Sequence, residues 1–596
     1  MFYDFDYKIG FALVLHQRCG VGQERMRVRP QDRANSEPRS VATRNAVEGD
    51  AQSKKSIIPL KQVMSDTYEP TIQLLVDHLK YRKNMYKTLR LILGDQLNRD
   101  HSWYKDTDDT ILYVMMEVKS ETNYVKHHIQ KICAFFLAMQ SFKAYLQGKG
   151  HKVLYINLDD RINKQSVTEN LKWIIDEYDI STVECQYPDE YRLLEEIDAF
   201  FSASGIKTSF VESEHFLINY KEIDQYFKPE TSMLMESFYR KMRKQLSILV
   251  DENDEPEGGK WNYDHQNRKS LPKGVEIPKR YHVKNDASAV FDKIEKAGIE
   301  TIGRIEDAAI VWPIDVEQAE AYLNDFIELG LPHFGTYQDA LTDRDYLLFH
   351  SRLSFALNTK ILHPLYVVKR VIDHWCENRN NIDLSNVEGF VRQIIGWREF
   401  IRGIYWINMP KYATMNELEH KNTLPKWYWD GNTKMKCLSV AVNQSLDYAY
   451  AHHIQRLMVT GNFALLLGCH PNEIDDWYLG IYIDAIEWVE MPNTRGMSQF
   501  ADGGIVGTKP YVSSANYINK MSDHCKNCHY NYKDKFGDKA CPFNSLYWAF
   551  YLRHEDKLKN NPRIGMAYRH INKMSDEQKS QYLRKADDII ENMDKL

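Results

Sequence analysis

Four cysteines require the last third of this chain to fold back on one point. Cys437 stands 88 residues ahead of Cys525, which opens Cys525-Lys526-Asn527-Cys528, and Cys541-Pro542 follows after twelve more residues. The compact C-x2-C-x12-C-P part can close on itself, and the distant thiolate then completes a four-sulfur shell. Such a shell suits a structural zinc or an iron–sulfur cluster. His524 and His529 are alternative ligands, and cysteines packed as ordinary core residues are the plain alternative. The spacing does not choose the metal.

The 596 residues are enough for two or three domains around a large core. A net charge of −6 offers no global basic field for nucleic acid, although a local basic groove is compatible with it. Nine cysteines, an odd number in a long chain, point to a reducing compartment rather than a disulfide scaffold. No apolar run approaches the ~18 residues of a membrane span, so an intracellular protein without membrane contact is expected.

Residues 1–84 differ from the rest. Gln23–Asp50 is rich in Arg, Ser, Asn and Glu, a composition that seldom packs. Phe11–Leu15 is too short and too poorly flanked for a signal peptide. The stretch reads as a disordered extension or a start-site artefact, with a short helix over 68–83 suggested by Leu74, Leu75 and Leu79.

From Met85 short apolar runs alternate with amphipathic segments. Strands are predicted at Leu89–Leu93, Ile111–Met116, Val153–Asn157, Thr182–Gln186 and Thr208–Val211, and helices at Tyr124–Gln147, Val167–Tyr178 and Glu190–Ala203. This alternation predicts an α/β domain with an open, Rossmann-like parallel sheet over 85–215, and ligands of such sheets bind at the carboxyl ends of the strands. The first strand runs into Gly94-Asp95-Gln96 without a G-x-G-x-x-G, so a dinucleotide pyrophosphate is not expected there. Asp95 and Gln96 suit the edge of a flat heterocycle, or form a plain polar turn. Residues 216–314 read as a connector that must wrap other domains or do a job of its own. Its basic run Tyr239–Lys244 reads as solvated surface, with phosphate contact as the alternative. From 315 to 596 the pattern is helical, and nine of the twelve tryptophans lie after residue 300.

In that helical region His350-Ser351-Arg352-Leu353-Ser354, Trp397-Arg398-Glu399-Phe400 and Trp477-Tyr478 stand in the order and rough spacing of photolyases and cryptochromes. Together with the cysteines, the chain from Met85 onwards resembles the iron–sulfur bacterial class, the prokaryotic (6-4) photolyases. The resemblance implies an α/β antenna domain, a long linker and an all-α FAD-binding domain. It also implies light-driven lyase repair of (6-4) photoproducts in UV-damaged DNA by a monomer in the bacterial cytoplasm, at the nucleoid. A cryptochrome-like photoreceptor and a cyclobutane-dimer photolyase are the other readings. The resemblance favours [4Fe-4S] on Cys437, Cys525, Cys528 and Cys541.

By the same resemblance, Ser351, Arg352, Leu353, Ser354 and Phe355 wrap the flavin phosphates, with Tyr337 and Asn358 as neighbours. Arg456 and Asp484 flank the ring. Glu490 stands where the superfamily often has Asn opposite flavin N5, and a carboxyl beside a reduced flavin is expected to be protonated or turned away. His452 and His453 are placed in a helix Asn443–Leu467, where adjacent residues diverge by about 100°, so one of them faces the lesion. The eukaryotic (6-4) enzymes carry histidines at i and i+4. Here the second position is Leu457, so proton transfer is assigned to His453 and support to His452. Trp477, Tyr478 and Trp429 are the implied electron-transfer residues, and Tyr511 and Tyr517 face DNA. A 6,7-dimethyl-8-ribityllumazine antenna is implied at Asp95, Gln96, Met116, Glu117, Lys119, Ser120, Glu121, Thr122, Asn123 and Tyr124.

Overall fold

The computed structural model describes residues 85–596. The expectations for residues 1–84, including the helix over 68–83, lie outside them. Five short strands, β1 (Thr88–Leu91), β2 (Ile111–Met116), β3 (Lys152–Ile156), β4 (Thr182–Gln186) and β5 (Lys207–Val211), pair in parallel in the order β3-β2-β1-β4-β5. Leu89, Leu91, Leu112 and Val114 of the central strands are buried and pack with Leu171, Ile174, Ile197 and Phe201 from the flanking helices. Burial on both faces is what continuous apolar strands in a parallel sheet require. The order reverses between β1 and β4, which opens a crevice at their carboxyl ends.

The helices α1 (Ile129–Gly148), α2 (Val167–Tyr178) and α3 (Tyr191–Ser204) connect the strands. The long helix starts five residues later than the sequence pattern suggests. His128 accepts a hydrogen bond from the Gln130 amide and caps the first turn, so the segment from Tyr124 to His127 stays outside the helix as a turn beside the crevice. The start of α1 also docks on the helical region. The His128 amide donates to Gly480 O at 2.9 Å, and Lys131 Nζ donates to Leu479 O and Ala485 O at 2.7 and 2.8 Å.

The connector wraps the helical region. Its basic run forms a helix, Met235–Leu246, in which Tyr239 and Arg243 are buried. Arg243 donates to the carbonyls of Ile248 and Leu249, so this arginine is structural and corrects the solvated-surface expectation at that position. Asn267 is buried and wedges between Gly335 and Gly389, donating to Ser385 O at 3.0 Å. A Cβ on Gly335 would lie 2.9 Å from Asn267 Oδ1, which is why glycine is required there.

From Val316 the described chain is largely helical, with an extensive apolar cluster built on Trp427, Tyr428, Phe463, Trp477 and Phe543. None of the described helices is long and apolar enough to cross a membrane.

Candidate functional site

The predicted helix over Asn443–Leu467 is interrupted where the histidines stand. Lys436–Tyr448 is helical, Ala449 takes φ +52°, and helical backbone resumes after His452 with a wide turn over Gln455–Gly461. The break is held by side-chain amides. Gln444 and Gln455 exchange hydrogen bonds at 3.0 and 2.8 Å, Gln455 Oε1 accepts from the His452 amide at 3.0 Å, and Gln444 donates to Tyr450 O. The i, i+4, i+8 face drawn through His453, Leu457 and Gly461 therefore does not exist as a regular helical stripe, and the expected 100° divergence of His452 and His453 does not apply.

Both histidines instead face a third. His350 lies in a loop whose backbone is forced into the left-handed region at Leu348 and Arg352, and Arg280 holds its carbonyl at 3.0 Å. Its ring stacks on His452 at 4.7 Å and meets His453 edge-on at 5.7 Å. One ring nitrogen from each of the three lies within 4.8 Å of the others. His350 and His452 are buried, whereas the His453 side chain is 48% exposed and reaches Asp339 Oδ1 at 3.3 Å. Burial, with cationic groups nearby, holds His350 and His452 well below the usual imidazole range.

Behind the histidines, Arg456 pairs with Asp484 through two bonds of 2.9 and 3.2 Å and lies 3.8 Å over the Tyr482 ring. The Asp484 carboxyl is held below its usual value: burial works against the charge, and the Arg456 guanidinium outweighs it. Asn358 donates to Asp484 O at 2.8 Å. Glu490 is buried with neither carboxyl oxygen partnered, and burial with Asp475 nearby pushes it well above the carboxylate range. Gln499 Oε1 and His452 Nδ1 are also buried without partners. Such a set of open donors and acceptors beside a fixed ion pair fits a flat heterocycle edged with N–H and C=O groups, as a flavin is.

The other predicted flavin residues divide. Ser351 and Ser354 are partly exposed, Leu353 and Phe355 are buried, and Phe355 packs edge-on against Phe135. Tyr337 packs on Phe349. Arg352 is spoken for by protein: it donates to Tyr281 O and meets His282 at 3.1 Å.

Aromatic rings lead away from Arg456. Tyr482, Tyr478, Trp477, Tyr428 and Trp427 follow one another at centroid spacings of 5.3, 5.3, 5.1 and 4.5 Å. Trp477 and Tyr478 are in this series, while Trp429 is 41% exposed and stands outside it. Tyr511 and Tyr517 pack on the edge of the apolar cluster, with Lys509 5.9 Å from the Tyr511 ring.

At the strand ends lies a cavity of about 130 Å³. Asp95, Met116, Glu121, Thr122 and Tyr124 line it as expected. Gln96 and Glu117 do not. Gln96 is buried against Gln186 O and the Leu93 amide, and Glu117 accepts from Tyr155, Leu158 and Lys293. Lys119 is drawn off to Ala297 O, Asn123 is exposed, and Ser120 lies outside the cavity lining. For Gln96, Glu117 and Lys119 the cause is shared: a polar group already satisfied inside the fold is not offered to a ligand. The cavity wall also holds residues that the sequence pattern missed. His127 is buried with both ring nitrogens unpartnered, and burial lowers Lys131 to about 8. Arg192 lies 3.7 Å over Tyr124 and ties Glu121 to Glu190.

The four cysteines, together with His524, line a second, much smaller cavity. His529 is exposed and bonded to Lys539. The loop between Cys528 and Cys541 is folded back by Asn544, which donates to Tyr532 O and Asp534 O at 2.8 Å. Burial and mutual repulsion raise Cys437 strongly, Cys525 to about 11 and Cys541 to about 12. A cationic centre reverses that penalty, so the donor set fits a metal or an iron–sulfur cluster.

Residues 90–310 match the family model of deoxyribodipyrimidine photo-lyase-related proteins. The chain is 41% identical over 511 residues to a (6-4) photolyase of Agrobacterium fabrum, covering 85% of this chain and 99% of that protein. The cryptochrome of Synechocystis has the same fold, with a TM-score of 0.50 at 14% identity over 83% of this chain and 93% of that one. A bacterial class III photolyase from Agrobacterium tumefaciens aligns over 85% of this chain and 98% of its own, with a TM-score of 0.49 at 13% identity. Identity of this depth over nearly the whole relative settles kinship: the chain belongs to the family of bacterial (6-4) photolyases.

Proposed function

We propose that this chain is a DNA photolyase that reverses (6-4) pyrimidine–pyrimidone products in UV-damaged DNA. In this reading it works as an intracellular monomer with FAD in the helical domain, a lumazine antenna at the strand ends and a [4Fe-4S] cluster on the four cysteines. The observation that carries the reading is the half-exposed His453, one helical turn ahead of Arg456, which is paired with the buried Asp484. A proton-handling side chain at a mouth, with a clamp for a flat heterocycle behind it, is what light-driven repair of a flipped base requires.

FAD, when bound, supplies the electron that light delivers to the lesion. The chain supplies the rest. Arg456 and Asp484 hold each other in one orientation, and Asn358 fixes the Asp484 backbone. Glu490, kept protonated by burial, offers an O–H where a carboxylate would repel electron density. His453, oriented by Asp339, is placed to hand a proton to the lesion and recover it. The ring series from Tyr482 to Trp427 offers oxidisable side chains at contact spacing for reduction of the cofactor.

The strand-end cavity supports a lumazine reading through its apolar floor of Met116, Phe135 and Met139 and its polar edge of Glu121, Tyr124 and His127. Four thiols drawn from three separate segments support a structural role for the cluster, since no position is left open for a substrate.

The test is illumination of the reduced protein with an oligonucleotide carrying one defined (6-4) lesion, followed by chromatography for restored thymines. Restoration in light and none in the dark is expected. A flavin-loaded protein that restores no thymine, or that restores it only from cyclobutane dimers, contradicts the assignment.

A further inference from the structure

The sequence has one histidine at the lesion-facing position and Leu457 where a second would stand four residues on. The fold supplies another from a different segment. His350, about a hundred residues earlier, brings a ring nitrogen within 4.8 Å of nitrogens on His452 and His453. Its Nε2 is buried and has no partner, while its backbone is clamped through Arg280, itself bound to Asp325 at 2.6 Å. A buried polar atom left open on a rigidly held loop calls for an explanation by what it meets in use.

We propose that His350 is the second imidazole of the lesion site, accepting a hydrogen bond from the same lesion group that takes a proton from His453. This inference rests on the repair reading above and names a further residue for it. The two imidazoles are complementary. His453 is half exposed and reaches the Asp339 carboxylate at 3.3 Å, which fixes its ring at the mouth. His350 faces His453, Arg280 and Arg456, and burial with these neighbours keeps it neutral, so it carries a ring lone pair that a protonated histidine lacks. The proton leaves a His453 nitrogen for the lesion oxygen and returns to it when the bases are restored. His350 holds that oxygen's hydrogen during the step and consumes nothing.

Three clustered histidines also suggest a transition-metal site, and ring geometry argues against it. A metal ion lies in the plane of each imidazole that binds it. The His350 and His452 rings are stacked with their planes only 13° apart, so their lone pairs do not converge on one point. Stacking with open nitrogens suits a shared organic ligand instead.

The experiment compares single-turnover repair by wild type, His350→Phe and His350→Asn, each with its full flavin content and reduced by light beforehand. Phenylalanine keeps the stack on His452 and deletes the nitrogens, whereas asparagine restores an acceptor. His350→Phe is expected to lose at least ~10-fold in repair rate while its dark affinity for lesion DNA stays within about threefold. His350→Asn is expected to recover most of the rate. If His350→Phe repairs at the wild-type rate, His350 has no part in the step. If His350→Asn keeps its flavin and loses as much as His350→Phe, the hydrogen-bond role is overturned in favour of packing. Should His350→Phe fail to fold, the rate of flavin-loaded His350→Asn decides: near wild type supports the role, and a loss of ~10-fold or more overturns it. A wild type that repairs no (6-4) lesion removes the function reading and this inference together, and is recognised by the wild-type lane alone.

Discussion

The strand-end cavity and the helical site treat their buried polar groups in opposite ways. At the strand ends Gln96 and Glu117, which look like ligand contacts in the sequence, are turned inward and fully engaged by protein. A ligand there meets mostly apolar floor, with His127 as the open polar contact deep in the wall. In the helical region Glu490, Gln499 and His452 all present buried atoms without partners, and Arg456 is fixed by its ion pair with Asp484. The first is a cavity shaped for a ring. The second is a hydrogen-bonding frame that is complete only around a ligand. A frame of this kind costs stability while it is open, because desolvated polar groups go unpaid.

Removing the ion pair that anchors the frame should have the largest effect. Asp484→Ala leaves the part-buried Arg456 charge without its carboxylate, so a loss of about 3 kcal/mol is expected, with loss of bound flavin. Thermal unfolding and the flavin absorbance of the purified variant check both. Retained flavin at wild-type stability would erase the contrast with the strand ends.

Within the ring series, Trp477→Phe is expected to slow photoreduction at least ~10-fold, about 1.4 kcal/mol in barrier. Trp429→Phe is expected to do less, since Trp429 lies outside the contact series. Bleaching of the oxidised flavin band under continuous light ranks the two.

Glu490 gives a pH test. Its folded carboxyl titrates above the unfolded value, so the native state holds a proton that the unfolded chain releases once pH passes the ordinary glutamate range. Stability therefore falls as pH rises from about 4.5, by up to ~1.4 kcal/mol per pH unit until the folded group ionises. Glu490→Gln should flatten that part of the urea-unfolding profile between pH 5 and 8. An unchanged slope would mean that Glu490 is ionised in the fold.

The smallest effect belongs to the strand ends. His127→Phe removes one polar contact and should weaken retention of the second chromophore by about 1 kcal/mol, leaving flavin content untouched. Fluorescence of the ligand released by denaturation measures it.

The sheet was legible because its signals are local. Apolar runs bounded by turns located β2, β4 and α2 to the residue, and cysteine spacing located a cavity that the fold does build. Of the flavin residues that the resemblance implies, Arg456 and Asp484 do meet in an ion pair. What escaped was set by long-range geometry. The helix break at Ala449 depends on Gln444 and Gln455 finding each other across it, and helical periodicity gave no warning. His350 was in plain view at the head of its own motif. Its role was hidden because its partners are about a hundred residues away. His127 falls inside the helix that the pattern predicts, and the His128 cap that leaves it ahead of the first turn is visible only in three dimensions.

The most direct test sets His453→Ala beside wild type in the illuminated repair of a (6-4) oligonucleotide, with both proteins reduced and equally loaded with flavin. Wild-type restoration of thymines and a loss of at least ~100-fold in the variant are predicted. Equal restoration by the two would contradict a repair chemistry centred on this histidine.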